Sequence, residues 1–223
     1  MASKFDPSLI PSSPDLSFEQ NLWQAGVDFI AGVDEAGRGA WAGPVTAAAV
    51  ILPPFTPSTN IFSDVRDSKQ LSAQKRYALE PLIRSNALAW GIGFATNEEI
   101  DQVGILPATR LAMRRALECL RPAPQHLLLD ALFLPEMNTP QTALIKGDQR
   151  SLSIAAASIL AKTARDRFMV ELGESHTSYS FKRNKGYGTR VHQAALANFG
   201  PSPAHRFSFA PVTHLLKKKT GAD

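Results

Sequence analysis

Apolar positions along the chain fall into short continuous runs and helical stripes, separated by polar segments bearing proline and glycine. Phe29-Ile-Ala-Gly-Val33 is a short apolar run ending at Asp34-Glu35, the pattern of a buried strand. Gly37-Arg-Gly39 marks a tight turn, and Val45 to Leu52 predicts the next strand, halted by Pro53-Pro54. A polar stretch containing Asp67-Ser-Lys-Gln70 reads as a surface loop. Ser72 to Ser85 has amphipathic helical spacing behind a serine N-cap. Ala87 to Thr96 predicts a third strand, with Asn97 capping a short helix before Pro107. Thr109 to Leu120 predicts a helix closed by Pro122 and Pro124. His126 to Asp130, with three consecutive leucines, predicts a fully buried strand ending in a carboxylate, and Thr142 to Lys146 a fifth strand. Ser151 to Leu172 is a long alanine-rich helical stripe. A basic, glycine-bearing loop (Ser175 to Gly188), a last helix (Arg190 to Phe199) and a proline-rich tail follow.

Two opening strands, then strands alternating with helices, predict a three-layer α/β fold on a sheet partly parallel and partly antiparallel. One domain is expected over 26–212, including a C-terminal helical part. An extended lead-in over 1–25 precedes it and a basic tail over 213–223 follows.

Composition narrows the class. Of 223 residues, 44% are apolar and 20% charged, enough for a sizeable core and unlike a disordered or fibrous chain. The longest apolar run, Val45 to Leu52, is far too short to span a bilayer. Asp6, Asp15 and Glu19 among early prolines argue against a secretory signal. The single cysteine, Cys119, excludes an internal disulfide framework and a thiolate-only metal site, and points to the reducing cytoplasm. Net charge is +4, and Lys146, Arg150, Lys162, Arg165, Arg167, Lys182, Arg183, Lys185 and Arg190 are opposed only by Asp148, Asp166, Glu171 and Glu174. That density fits either a polyanionic partner or a solvated helix face with a polar loop.

Four acids sit where packing explains them poorly. Asp34 and Glu35 end the first strand, Asp130 ends the leucine strand, and Asp148 precedes the long helix. Ligands of open α/β sheets bind at the carboxyl ends of strands, where parallel neighbours would bring these acids together. Such a cluster repels itself unless a cation neutralises it, and oxygen-only ligation suits Mg²⁺ or Mn²⁺ rather than zinc. Each acid alone also reads as a turn former or helix cap.

The motif Gly32-Val-Asp-Glu-Ala-Gly-Arg-Gly39, continued by Ala40-Trp-Ala-Gly-Pro-Val45 and Ala47-Ala-Ala-Val-Ile51, closely resembles the signature of type 2 ribonucleases H (RNase HII). Further matches follow in the family's order: Asp67-Ser-Lys69 with Leu71-Ser72, the strand to Asp130, Lys146-Gly-Asp148, and Ile154-Ala-Ala-Ala-Ser-Ile-Leu-Ala-Lys162 with Arg165-Asp166. Lys185-Gly-Tyr-Gly-Thr189, His205-Arg206 and Ser208-Phe209 complete the series, which covers roughly Gly26 to Val212.

The resemblance implies a ribonuclease H-like five-stranded mixed sheet flanked by helices. It implies hydrolysis of the RNA strand of RNA–DNA hybrids and incision 5′ to single ribonucleotides in duplex DNA, leaving 5′-phosphate and 3′-hydroxyl ends. Asp34, Glu35, Asp130 and Asp148 would be the catalytic acids, holding two divalent cations, Mn²⁺ or Mg²⁺. Gly37, Arg38 and Gly39 would read the ribose 2′-hydroxyl, unless they form an ordinary turn. Tyr187 would pack at the RNA–DNA junction, or else merely anchor its loop. Lys69, Lys162, Lys185 and Arg38 are phosphate-contact candidates that could equally be solvated. Asp166 shares a helix face with Ser158 and Lys162 and reads as a structural ion pair.

Two departures stand out: Ala40-Trp41 after the glycine turn, where leucine preceded by proline or a small residue is commoner, and Asn184, where histidine often stands. The rival on the same fold is a catalytically silent hybrid binder, which would be expected to have lost an acid; all four are present. The sister type 3 enzymes carry an N-terminal substrate-binding domain for which the stretch before Asp34 is short. A monomer without membrane attachment is expected.

Overall fold

The computed structural model describes residues 5–55 and 62–214; the Lys217-Lys-Lys219 tail lies outside them. Strands β1 (Ile30–Ala36), β2 (Val45–Ile51) and β3 (Ala89–Ala95) form an antiparallel meander. β4 (His126–Asp130) pairs parallel to β1, and β5 (Gln141–Leu144) parallel to β4, giving the order β3-β2-β1-β4-β5. The expected mixed five-stranded sheet is therefore present.

Helices cover both faces. They are α1 (Ser17–Gln24), α2 (Ala73–Asn86), α3 (Asn97–Val103), α4 (Ile105–Glu118), α5 (Leu152–Ser175), α6 (Phe181–Asn184) and α7 (Arg190–Phe199). The two-residue period of a strand sends Ala31, Val33, Ala47, Ala49, Leu127 and Leu129 to the face under α4. Ile30, Ala48, Val50 and Leu128 go to the face under α5. Each buried leucine of β4 contributes about 1.5–3 kcal/mol. Caps follow the sequence: Ser72 accepts from Lys75 N–H, and Ser151 from Ile154 N–H.

Several boundaries move for identifiable reasons. Thr96, not Asn97, caps α3, because Glu99 returns a hydrogen bond to the Thr96 N–H in a reciprocal capping box. α4 starts at Ile105 rather than Thr109, with Pro107 in its first turn, where no N–H is needed. β5 stops at Leu144, and Lys146 takes a left-handed φ of 56° to lead into a 3₁₀ turn over Gly147–Gln149. The lead-in over 1–25 is not wholly extended: α1 forms within it. Trp23 is buried, and buried Glu19 accepts hydrogen bonds from Ser151 and Ser153. Those partners lie far away in sequence, so no local pattern announces the helix.

One contact sets how closely α5 approaches the sheet. A Cβ built on Gly32 would lie 2.2 Å from the Ser153 carbonyl carbon and 2.4 Å from the Ile154 nitrogen, both main chain. Only glycine lets the first turn of α5 rest on β1 two residues ahead of Asp34. Gly32→Ala must push the helix away and is expected to cost about 1–3 kcal/mol. Chemical denaturation measures this, and a variant as stable as wild type would refute the close approach.

Candidate active site

Val33 pairs with Leu129 in the parallel β1–β4 ladder, so the next residues, Asp34 and Asp130, sit side by side. The 3₁₀ turn before α5 brings in Asp148. One carboxylate oxygen from each of Asp34, Asp130 and Asp148 lies within 4.8 Å of the others. Main-chain donors hold two of them: Glu35 N–H to Asp34 Oδ1 (2.7 Å), and Gly147 N–H to Asp130 Oδ1 (2.7 Å). Asp34 and Asp148 are each only 3% exposed.

Burial raises all three carboxyls. Asp34 is pushed well above its usual range by desolvation, reinforced by Glu35, Asp130 and Asp148. Asp148 is raised to about 6 by desolvation and by the charges of Asp130 and Asp67, against the pull of Lys69. Asp130 is raised by desolvation, partly offset by the Gly147 N–H. Glu35 does not join this tight trio but lines the adjoining cleft. Its Oε1 accepts from Arg38 (3.1 Å), while its buried Oε2 has no hydrogen-bond partner among the described residues. Desolvation raises Glu35 too, against the pull of Arg38.

The cleft, about 530 Å³, is lined by Asp34, Glu35, Asp130, the Gly37-Arg38-Gly39 turn, Lys69 and Tyr187, with Ile105 and Phe209. Lys69 Nζ reaches Asp148 Oδ2 at 3.3 Å. Burial works against the charge of Lys69, but Asp34, Asp148 and Asp67 outweigh it and hold the ammonium above its usual range. Asp67 braces this loop, accepting from Lys69 N–H (2.9 Å) and from the amide of Gln149, next to Asp148 (3.2 Å).

Lys162 and Lys185 do not line the cleft. Lys162 pairs with Asp166 (2.7 Å), which also meets Arg76 (3.5 Å), so Asp166 holds the expected ion pair. Lys185 turns its ammonium to the Lys182 carbonyl. The basic segment from Lys146 to Arg190 is likewise largely occupied. Arg167 pairs with Glu80, Lys182 with Glu174, and Arg150 lies over the Phe18 ring. Cys119 is exposed, and His126 bonds to Thr142 at 2.9 Å.

Two roles were invisible in the sequence. The fully buried guanidiniums of Arg165 and Arg206 hold the main chain around the glycine turn. Arg165 bonds the carbonyls of Pro44 (2.9 Å), Ala42 (3.2 Å) and Lys185 (2.9 Å), and Arg206 those of Gly43 and Arg38 (both 2.9 Å). Desolvation and the neighbouring Arg165 lower Arg206 to about 9. Gly37, at φ 94°, stands over Arg165, where a Cβ would be 1.9 Å from Nε.

Both departures join this assembly. Trp41 N–H bonds Gly186 O (2.8 Å) and its ring covers Gly188, while buried Asn184 donates to Tyr179 O and accepts from Gly186 N–H. Tyr187 is thereby held between the loops, its ring centroid 5.5 Å from Lys162 Nζ and 5.3 Å from the Arg165 guanidinium.

A family model described as Ribonuclease HII matches residues 31–212. The chain belongs to the ribonuclease HII family. It is 52% identical to the ribonuclease HII of Chloroflexus aurantiacus over 91% of this chain and 96% of that protein. With the ribonuclease HII of Lactobacillus johnsonii it shares 48% over 96% and 84%. Its fold matches the ribonuclease H2 of Pyrococcus horikoshii at a TM-score of 0.70 and 24% identity, covering 87% of this chain and all of that one. It matches RNase HII in a PCNA complex from Archaeoglobus fulgidus at 0.67 and 25%, covering 83% and 96%. Membership makes this chain a type 2 ribonuclease H, an endonuclease of RNA–DNA hybrids in a family that depends on divalent metal. No helix among the described residues is long and apolar enough to cross a membrane.

The site of this RNase HII suits a hard divalent cation. Three oxygens converge, a fourth buried carboxylate oxygen on Glu35 has no hydrogen-bond partner among the described residues, and neither sulfur nor imidazole is in the group. Without a cation, the raised carboxyls hold protons in the folded state that the unfolded chain releases above its ordinary 3.8, so the stability they contribute falls as pH rises above that value, for Asp148 through about 6. Asp34→Asn removes a carboxyl whose ionisation the buried cluster opposes, while keeping an acceptor for Glu35 N–H. In chelator at pH 7 it should melt above wild type, each kcal/mol relieved giving ~2–4 °C, and the gap should close by about pH 4, near the ordinary carboxylate pKa. A variant melting level with or below wild type at pH 7 would contradict the self-repelling cluster.

Proposed function

We propose that this enzyme hydrolyses the RNA strand of RNA–DNA hybrids and also incises 5′ to a single ribonucleotide within duplex DNA, leaving 5′-phosphate and 3′-hydroxyl ends. The observation that carries the reading is the trio of converging carboxylates, Asp34 and Asp148 buried and Asp130 half-buried, beside a cleft walled by a glycine turn and a tyrosine. Asp34, Glu35, Asp130 and Asp148 would hold two divalent cations, Mn²⁺ or Mg²⁺. When bound, these supply activation of a water and stabilisation of the leaving 3′ oxygen.

The protein's own groups orient the substrate. Main chain at Gly37, Arg38 and Gly39 comes close to a ribose and bonds the 2′-hydroxyl that distinguishes RNA from DNA. The buried arginines beneath keep that main chain rigid, so the recognition geometry exists before binding. Tyr187 presents a flat ring to the sugar at the RNA–DNA junction. Arg38 and Lys69, on the cleft wall, meet phosphates; Lys162 and Lys185 serve there only after leaving Asp166 and the Lys182 carbonyl.

A duplex with one embedded ribonucleotide tests the reading. Incision on its 5′ side is expected with Mn²⁺ or Mg²⁺, and Asp130→Asn should lose at least ~10²-fold in rate while still binding hybrid, since a ligand charge goes but the cleft remains. Near-normal turnover by that variant at saturating metal would contradict the acid assignment.

Tyr187→Ala should lose far more activity on the single ribonucleotide than on a long hybrid, with Tyr187→Phe between them. Parallel losses on both substrates with a lowered melting temperature would reduce Tyr187 to a loop anchor.

A further inference from the structure

Glu19 is a buried carboxylate, 1% exposed, on α1. Its Oε1 alone accepts three hydrogen bonds from the start of α5: Ser151 Oγ (2.6 Å), Ser153 Oγ (2.6 Å) and Ser153 N–H (3.0 Å). Its position beside a helix N-terminus favours the ionised form, whereas burial pushes its carboxyl upward. Burying a carboxylate is costly unless it is hydrogen-bonded, and the three donors on Oε1 offset that cost.

The residues it holds adjoin the acid trio on two sides. Ser151 donates its N–H to Gly147 O (2.9 Å), closing the 3₁₀ turn that carries Asp148. Ser153 rests on Gly32, two residues before Asp34 in β1. The chain before α1 brackets the same turn, with Asp15 N–H to Arg150 O (3.3 Å) and Leu152 N–H to Asp15 O (2.8 Å). Among the described residues, Asp148 has no main-chain donor of the kind that holds Asp34 and Asp130, and its side-chain partner is the exposed Lys69. Its aim therefore depends on the backbone of the turn.

We propose that Glu19 is a positioning residue for the acid cluster: by tying α1 to the first turn of α5 it fixes the turn that aims Asp148 at Asp34 and Asp130, and so sets the site's affinity for divalent cation. The proposal rests on the metal reading above. Residues that orient ligands without touching the ion commonly change metal affinity by about 10–100-fold when lost.

The test is Mn²⁺ binding to the full chain without substrate, by calorimetry or by loss of the free-ion electron paramagnetic resonance signal, at a temperature where circular dichroism shows folded protein. Glu19→Ala is expected to weaken Mn²⁺ binding about 10-fold, while hybrid binding in chelator stays at the wild-type level. Glu19→Gln keeps an acceptor oxygen for the three donors and should restore affinity to within about twofold of wild type. A purely structural tie would lower melting temperature yet leave Mn²⁺ affinity of the folded protein unchanged, and that result overturns the proposal. Equal weakening in the Gln and Ala variants overturns it as well, because the hydrogen bonds would then not be the cause. Should Glu19→Ala fail to fold, Glu19→Asp decides: its shortened side chain should weaken Mn²⁺ binding, and wild-type affinity counts against the tie. Absence of Mn²⁺ binding by wild type would remove the metal reading itself, whereas binding unaltered by Glu19→Ala removes the proposal alone.

Discussion

Three carboxylates within 4.8 Å of one another, two of them buried and one half-buried, repel, and burial makes the repulsion stronger because little water lies between them. The surrounding architecture holds that arrangement in place. The parallel β1–β4 ladder fixes two of the acids level with each other, and the turn before α5 delivers the third. Fixed donors on Glu35 and Gly147 and one lysine, Lys69, offset part of the cost. None removes it, as the upward displacement of all three carboxyls indicates. The folded protein thus stores unfavourable electrostatic energy at the place where a divalent cation would be stabilised most, a common trade between stability and function.

The cleft wall follows a different rule. Its rigidity comes from two guanidiniums that spend their donors on carbonyls instead of carboxylates. Arg165 links the stretch after the glycine turn to the tyrosine loop through Ala42, Pro44 and Lys185, and Arg206 adds Gly43 and Arg38. Trp41 over Gly188 and Asn184 under Gly186 close the same joint. The two departures from the commoner family residues therefore lie together, in contact with one loop, and away from the acids.

The five strands, the mixed sheet and the convergence of the acids were legible because each rests on local pattern: a run of leucines, a carboxylate at a strand end, a glycine turn. What escaped depends on partners remote in sequence. α1 hides among prolines because its anchor, Glu19, bonds to serines more than a hundred residues away. The basic run, open in sequence between a polyanion-facing stripe and a solvated face, is partly used within the fold, Arg167 meeting Glu80 and Arg165 the carbonyls near the glycine turn. Arg165 and Arg206 were visible as motif letters, but nothing local says that a charged side chain will be buried to brace a backbone. Glu35 stands beside Asp34 in sequence and lines the same cleft, yet its carboxylate pairs with Arg38 and stays outside the tight trio.

The central claim is that this cluster is incomplete without divalent cation. Thermal unfolding of the wild-type protein in chelator and in saturating Mg²⁺, at pH 7.5 and again at pH 5, tests it most directly. Cations and protons compete for the same carboxylates. The account predicts a clear Mg²⁺-dependent rise in melting temperature at pH 7.5 that shrinks markedly at pH 5. No rise at pH 7.5, or an equal rise at both, would contradict it.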